Sequence, residues 1–133
     1  MKKVFFFLLV FGIFACGSEK KKPVSNQPEK LIEQKNGVYY EWYPGKKQLK
    51  FKGALDAKSQ RNGKWVFYAE SGNELSITMF ENGLKEGFTI VKYPNGRVHY
   101  RGEYLHDEMV GTWTTYDADG KLVTEKNYAY PNE

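Results

Sequence analysis

The sequence predicts an all-β fold, an elongated antiparallel meander of hairpin repeats of about 24 residues each, preceded by a signal peptide and a flexible linker. Three observations predict the repeat. Glycines at positions 63, 72, 87, 96, 111 and 120 are separated by 9, 15, 9, 15 and 9 residues; self-similarity at a period of roughly 20–50 residues marks a repeat architecture. Aromatics make up 17% of the chain, as ten Tyr, nine Phe and three Trp, and these residues suit a pleated, half-buried surface. Turn signals recur at Asn82-Gly83 and Pro94-Asn95-Gly96, sequences that tolerate the positive φ of tight hairpins.

Other positions follow the glycine period. Phe80, Tyr104 and Tyr128 each lie eight residues after the second glycine of a unit. Trp65 and Trp113 lie two residues after the first glycine, and Tyr68 and Tyr116 five after it. In the middle unit Phe88 and Tyr93 take the neighbouring positions. Lys64 to Tyr68 is a strand with large side chains on both faces, and Ala69 to Asn73 a turn with Gly72 at its positive-φ position. Leu75, Ile77 and Met79 alternate with Ser76 and Thr78, the period-two pattern of a half-buried strand. A degenerate unit opens at Gly37, with a longer turn around Asp56 to Asn62. The units therefore fall near 37–62, 63–86, 87–110 and 111–133, the whole forming one repeat domain over 37–133. A lone hairpin is marginal in water, so the aromatics of stacked units must bury one another.

The N-terminus reads as an export address. Lys2 and Lys3 precede Val4 to Ala15, an unbroken apolar run of 12 residues. That is short of the roughly 20 needed to cross a bilayer and is the length of a signal-peptide core. Ile13-Phe14-Ala15-Cys16 resembles the lipobox of bacterial lipoproteins, with Phe14 where a small residue is usual. The resemblance implies cleavage after residue 15 and a diacylglycerol on Cys16, the one cysteine of the chain. Residues 16–36 are polar, with Lys20-Lys21-Lys22, and read as a tether in which Pro28 to Lys35 has room for a turn or two of helix. Gly17 is not the aspartate of an inner-membrane retention signal, so the expected location is the cell envelope, at the outer membrane where the organism has one.

Gly63-x-Trp65-x-x-Tyr68-x-x-x-Gly72 and Gly111-x-Trp113-x-x-Tyr116-x-x-x-Gly120 resemble the MORN repeat in its bacterial variant form. The resemblance implies a meander of hairpins. It also reaches uncharacterised bacterial lipoproteins and the YwqK-like antitoxin family, which implies an immunity-like role.

Composition and motifs narrow the function class. Taking Lys2 and Lys3 from the 20 basic residues leaves 18 against 16 acidic, a net +2, too balanced for a nucleic-acid partner. His99 and His106 have no cysteine or further histidine beside them to complete a metal site. No glycine-rich loop precedes a helix, and Ser59, Ser71 and Ser76 lack a His or Asp at a motif-like spacing. Asp117 and Asp119 flank Gly120, where turns favour Asp for backbone reasons. The expectation is therefore a non-enzymatic module with no cofactor beyond the acyl anchor and no metal. It binds membrane through that anchor and a protein through its sheet. Trp65, Tyr68, Tyr93, Trp113 and Tyr116 are the candidate binding residues, although the aromatic stripe reads first as the core of a thin sheet and only second as a part-exposed binding surface. The alternative is an envelope scaffold that binds lipid or glycan.

The anchor has a direct test. Cys16→Ser is expected to abolish incorporation of radiolabelled fatty acid and to leave the precursor uncleaved; labelling that persists in the variant refutes the lipoprotein assignment.

Overall fold

The computed structural model describes residues 29–131. The expected signal segment, Cys16 and the expected tether as far as residue 28 lie outside the described residues. Nine strands follow in chain order: β1 Ile32–Lys35, β2 Val38–Trp42, β3 Leu49–Leu55, β4 Arg61–Tyr68, β5 Glu74–Glu81, β6 Leu84–Lys92, β7 Val98–Leu105, β8 Glu108–Tyr116 and β9 Leu122–Tyr128. Each pairs antiparallel with the next in one open sheet. At about 4.8 Å per strand spacing the sheet is about 38 Å wide, against strands of at most about 30 Å.

Two kinds of turn alternate along its edges. Asn36-Gly37, Asn82-Gly83 and His106-Asp107 are two-residue loops with positive φ at both positions (52° and 71°, 49° and 87°, 50° and 70°). That is the backbone twist a tight hairpin needs. On the other edge, Ala69 N donates to Asn73 O at 2.8 Å, Tyr93 N to Arg97 O at 2.8 Å and Asp117 N to Lys121 O at 2.9 Å. Each of these loops carries its glycine of the period, Gly72, Gly96 or Gly120, at positive φ. The turn expected over Asp56 to Asn62 is shorter. Asp56 Oδ1 accepts the backbone N–H of Lys58 and of Gln60, and β4 resumes at Arg61.

The first glycine of each unit does a different job. Gly63, Gly87 and Gly111 have φ of 69°, 89° and 63° and lie inside β4, β6 and β8. Pairing with the preceding strand jumps beside each of them, so they are bulges that kink the strand. Across the following strand pair each faces an aromatic: Gly63 faces Phe80, Gly87 faces Tyr104 and Gly111 faces Tyr128. This cross-strand placement accounts for the second aromatic series of the sequence.

The sheet starts earlier than the sequence predicts. Ile32–Lys35, expected at the end of the tether and with room for helix, is a strand paired to β2. The Asn36-Gly37 turn folds it back, Trp42 N donates to Leu31 O at 2.8 Å, and Lys46 forms an ion pair with Glu33. Pairing with a neighbour overrides the weak local preference of a polar segment.

Register defines two faces. Tyr39, Gly53, Trp65, Thr78, Thr89 and Gly102 are successive partners on one, here called the ring face. Tyr40, Lys52, Val66, Ile77, Ile90, Arg101, Thr114 and Glu125 run across the other. Substantial contacts join only strands consecutive in sequence, so among the described residues no second layer covers either face. The buried side chains are few: Trp65, Thr89 and Trp113 on the ring face, Val66, Val110 and Thr114 behind it.

Each of these tryptophans lies flat against a glycine of the preceding strand. A Cβ added to Gly53 would stand 2.2 Å from Trp65 Cδ2, and one added to Gly102 would stand 2.2 Å from Trp113 Cδ2. Neither glycine has a positive φ, so room and not conformational freedom is what selects it. A buried Trp removes roughly 200 Å² from water, worth about 5 kcal/mol of transfer free energy before entropy is counted. Gly102→Ala is therefore expected to lower stability by about 3 kcal/mol, by displacing the ring. In a Trp113→Ala background the same change should cost little, because the clash is gone. Urea denaturation of the four proteins of this cycle measures the coupling, and additive costs would refute the seating of Trp113 on Gly102.

Candidate functional site

The ring face carries two clusters. At the C-terminal end Trp113 is the floor of an open cleft of about 330 Å³. Its Nε1 donates to Glu103 O and Val110 O, both at 3.1 Å, which pins the indole across the β7–β8 bulge. Tyr104 meets it edge-on at 5.0 Å between ring centroids, and Tyr100 lies near-parallel at 6.1 Å. Met109, Thr115, Thr124, Lys126 and Tyr128 complete the lining. Burial, with the neighbouring Tyr104, pushes the Tyr100 phenol above its ordinary range, so its hydroxyl stays protonated and able to donate.

The N-terminal cluster repeats the plan. Trp65 Nε1 donates to Ala54 O at 2.9 Å. Tyr39 and Phe80 flank the indole at 5.2 and 6.1 Å, and Phe51 stacks on Phe67 at 4.8 Å. The Arg61 guanidinium sits 4.5 Å from the Trp65 centroid and 5.2 Å from that of Phe80. A smaller cleft of about 160 Å³ opens here, reaching Thr78 and Lys85. Beyond Trp65, Tyr39 donates to Glu41 at 3.0 Å and Lys50 pairs with the same carboxylate at 2.8 Å. The Lys50 hydrogen bond foremost, then the Tyr39 hydroxyl, holds the Glu41 carboxyl below its ordinary range against the opposing effect of burial.

Between the clusters the ring face has no ring. Thr89 occupies the position of the unit that Trp65 and Trp113 hold elsewhere, and Thr78 the position of Gly53 and Gly102. The two hydroxyls bond at 2.8 Å, and Thr89 also donates to Ile77 O at 3.1 Å. Phe88, expected to stand in for the tryptophan, is 53% exposed on the opposite face, paired with Glu103. Strand alternation decides this: one step along β6 exchanges faces.

The five aromatics singled out in the sequence do not form one stripe. Trp65 and Trp113 sit on the ring face at 5% and 7% exposure. Tyr68 and Tyr116 pair with Glu74 and Leu122 at the far ends of β4 and β8, and Arg101 of the opposite face lies over the Tyr116 ring. Tyr93 stacks on His99 at 4.4 Å between centroids, and its hydroxyl donates to Tyr116 O at 3.0 Å. Tyr43 does the same to Tyr68 O at 2.9 Å. These tyrosines tie successive turns together. Cys16 lies outside the described residues.

Sequence reasoning missed Arg61, Lys85, Lys126, Thr89 and the two ring-seating glycines. A signal was there: positions 65, 89 and 113 are 24 apart, and positions 53, 78 and 102 are 25 and 24 apart. The cations carry no such mark. Chemically the face offers stacking, cation–π contact and hydroxyl donors. Among the described residues no three His, Cys, Asp or Glu side chains gather as a metal site.

Thr89→Val leaves the Thr78 hydroxyl without its partner and is expected to cost about 2 kcal/mol. Adding Thr78→Val should return part of that loss, since two apolar groups of the same shape need no partner. Thermal melts of the single and double variants check this. Comparison with known proteins returns no matching family model and no matching curated protein.

Proposed function

We propose that this chain is a lipid-anchored protein of the cell envelope whose repeat sheet is a non-enzymatic module that binds a partner protein. One observation carries the reading: a single-layer sheet leaves its ring face, with two aromatic clefts, uncovered among the described residues. The outer rings of that face, among them Tyr39, Phe51, Phe80, Tyr100, Tyr104 and Tyr128, are only half-buried, and uncovered apolar patches mark interaction sites. The residues there are those enriched where proteins meet, Trp, Tyr, Phe, Met and Arg. The scale also fits, because a standard interface takes about 800 Å² from each partner, and a sheet about 38 by 30 Å offers that on one face.

The lipid anchor, the expected cleavage before Cys16 and the envelope location belong to this reading through the N-terminal resemblance. An immunity or antitoxin role is its narrowest form, in which the sheet docks on a toxin and covers its active surface. That form rests on the resemblance of Gly63 to Gly72 and Gly111 to Gly120 to MORN-type repeats.

Affinity capture of the anchored protein from detergent extract, followed by mass spectrometry, is expected to return one partner at stoichiometric yield. Retention of no protein above an untagged control, together with binding of the full chain to liposomes or envelope polysaccharide, would overturn the reading in favour of a lipid- or glycan-binding scaffold.

A further inference from the structure

Beyond β3, carboxylates are confined to one face of the sheet; on the ring face Glu41 of β2 is taken up by Lys50 and Tyr39. From β4 to β9 the ring face carries three cations, Arg61, Lys85 and Lys126, and by register no carboxylate. Glu74, Glu81, Glu103, Glu108 and Glu125 fall on the opposite face, paired with Tyr68, Leu84, Val110, Leu105 and Thr114. Glu86 is taken up at the turn edge, where it accepts the backbone N–H of His106 at 2.8 Å.

Four basic groups among the described residues are neutralised by carboxylates. Lys46, Lys50, Lys92 and Arg97 form ion pairs with Glu33, Glu41, Glu74 and Asp119. Among the described residues Arg61, Lys85 and Lys126 form none. They rest instead against rings: Arg61 on Trp65, Lys85 at 4.6 Å from the Tyr104 centroid, and Lys126 across from Trp113 in the cleft that Tyr128 also lines. A ring holds the cation in place without neutralising it, so its attraction for an anion remains.

From this we infer that the occupant of the ring face is an acidic, extended segment of the partner protein, with carboxylates on Arg61, Lys85 and Lys126 and apolar side chains in the two clefts. The inference rests on the protein-binding reading above. Spacing favours a chain over a single small anion. Arg61, Lys85 and Lys126 lie on β4, β6 and β9, so about 10 and 14 Å separate them across the sheet. An extended peptide covers those gaps in about three and four residues. The ring-lined clefts favour a peptide over a lipid headgroup layer, because an extended peptide can present both acidic and apolar side chains on one face, at every second residue.

The test uses the full chain and a fluorescein-labelled peptide of repeating Glu-Ser-Leu-Ser, which when extended carries Glu and Leu on one face, followed by fluorescence polarisation at low and high salt. The ring-face variant Arg61→Gln/Lys85→Gln/Lys126→Gln is compared with an opposite-face variant of equal charge, Lys52→Gln/Lys64→Gln/Arg101→Gln. The peptide is expected to bind the parent and the opposite-face variant alike, and the ring-face variant about tenfold more weakly, with the difference shrinking as salt rises. Circular dichroism confirms that both variants fold. Equal loss in the two variants overturns the assignment, as does binding to phosphatidylglycerol vesicles but not to the peptide. The stoichiometric partner, once captured, separates the two levels. Its equal retention by both variants refutes the acidic segment and leaves the protein-binding reading standing, whereas retention of no partner by the parent refutes that reading itself.

Discussion

A tryptophan ring seated on the backbone of a glycine one strand away is the contact on which the described domain depends. A sheet with nothing packed on it must find apolar cover among its own side chains, and cross-strand neighbours are the only source. Trp65 on Gly53 and Trp113 on Gly102 solve this with the largest side chain against the smallest. The indole lies flat, its N–H is satisfied by carbonyls at the strand bulge, and edge-on aromatics close its flanks. The bulge at Gly63 or Gly111 belongs to the same device. By kinking the strand two residues before the tryptophan, it turns the indole toward the preceding strand.

The middle unit shows what happens where the device is absent. Thr89 and Thr78 replace ring and glycine, and a hydroxyl pair replaces the apolar seat. The backbone plan survives, because the bulge at Gly87 and the Asn82-Gly83 turn do not depend on the indole. The surface changes: in place of one continuous aromatic floor there are two clefts with a polar step between them. Stability in such a sheet is a sum over neighbouring strands, so a weaker central unit is tolerated where two stronger ones flank it.

The sorting of charge follows from the same geometry. On a sheet of this kind a side chain is committed to one face by the parity of its position. From β4 to β9 the acids fall on one parity, which leaves Arg61, Lys85 and Lys126 on a face without a carboxylate there and does so without altering the fold. In a complex of the proposed kind, attraction to those cations would chiefly set partner choice and encounter rate, and the aromatic clefts would supply the burial.

Much of this was legible in the linear chain. The period of 24 residues, the hairpin turns at Asn82-Gly83 and Pro94-Asn95-Gly96, the strand at Leu75 to Phe80 and the all-β class all followed from glycine spacing and period-two alternation. These are local properties: a positive φ or an alternating strand is dictated by a few adjacent residues. What the tertiary structure alone decided is which side chains share a face and which strand lies opposite. Strand pairing turned Ile32–Lys35 from tether into β1, sent Phe88 to the opposite face while Thr89 took the tryptophan position, and divided Trp65 and Trp113 from Tyr68 and Tyr116. Register, bulges and the seat that a distant glycine offers to a ring join residues 11 or 12 positions apart, and no stretch of sequence short enough to read locally contains both halves of such a contact.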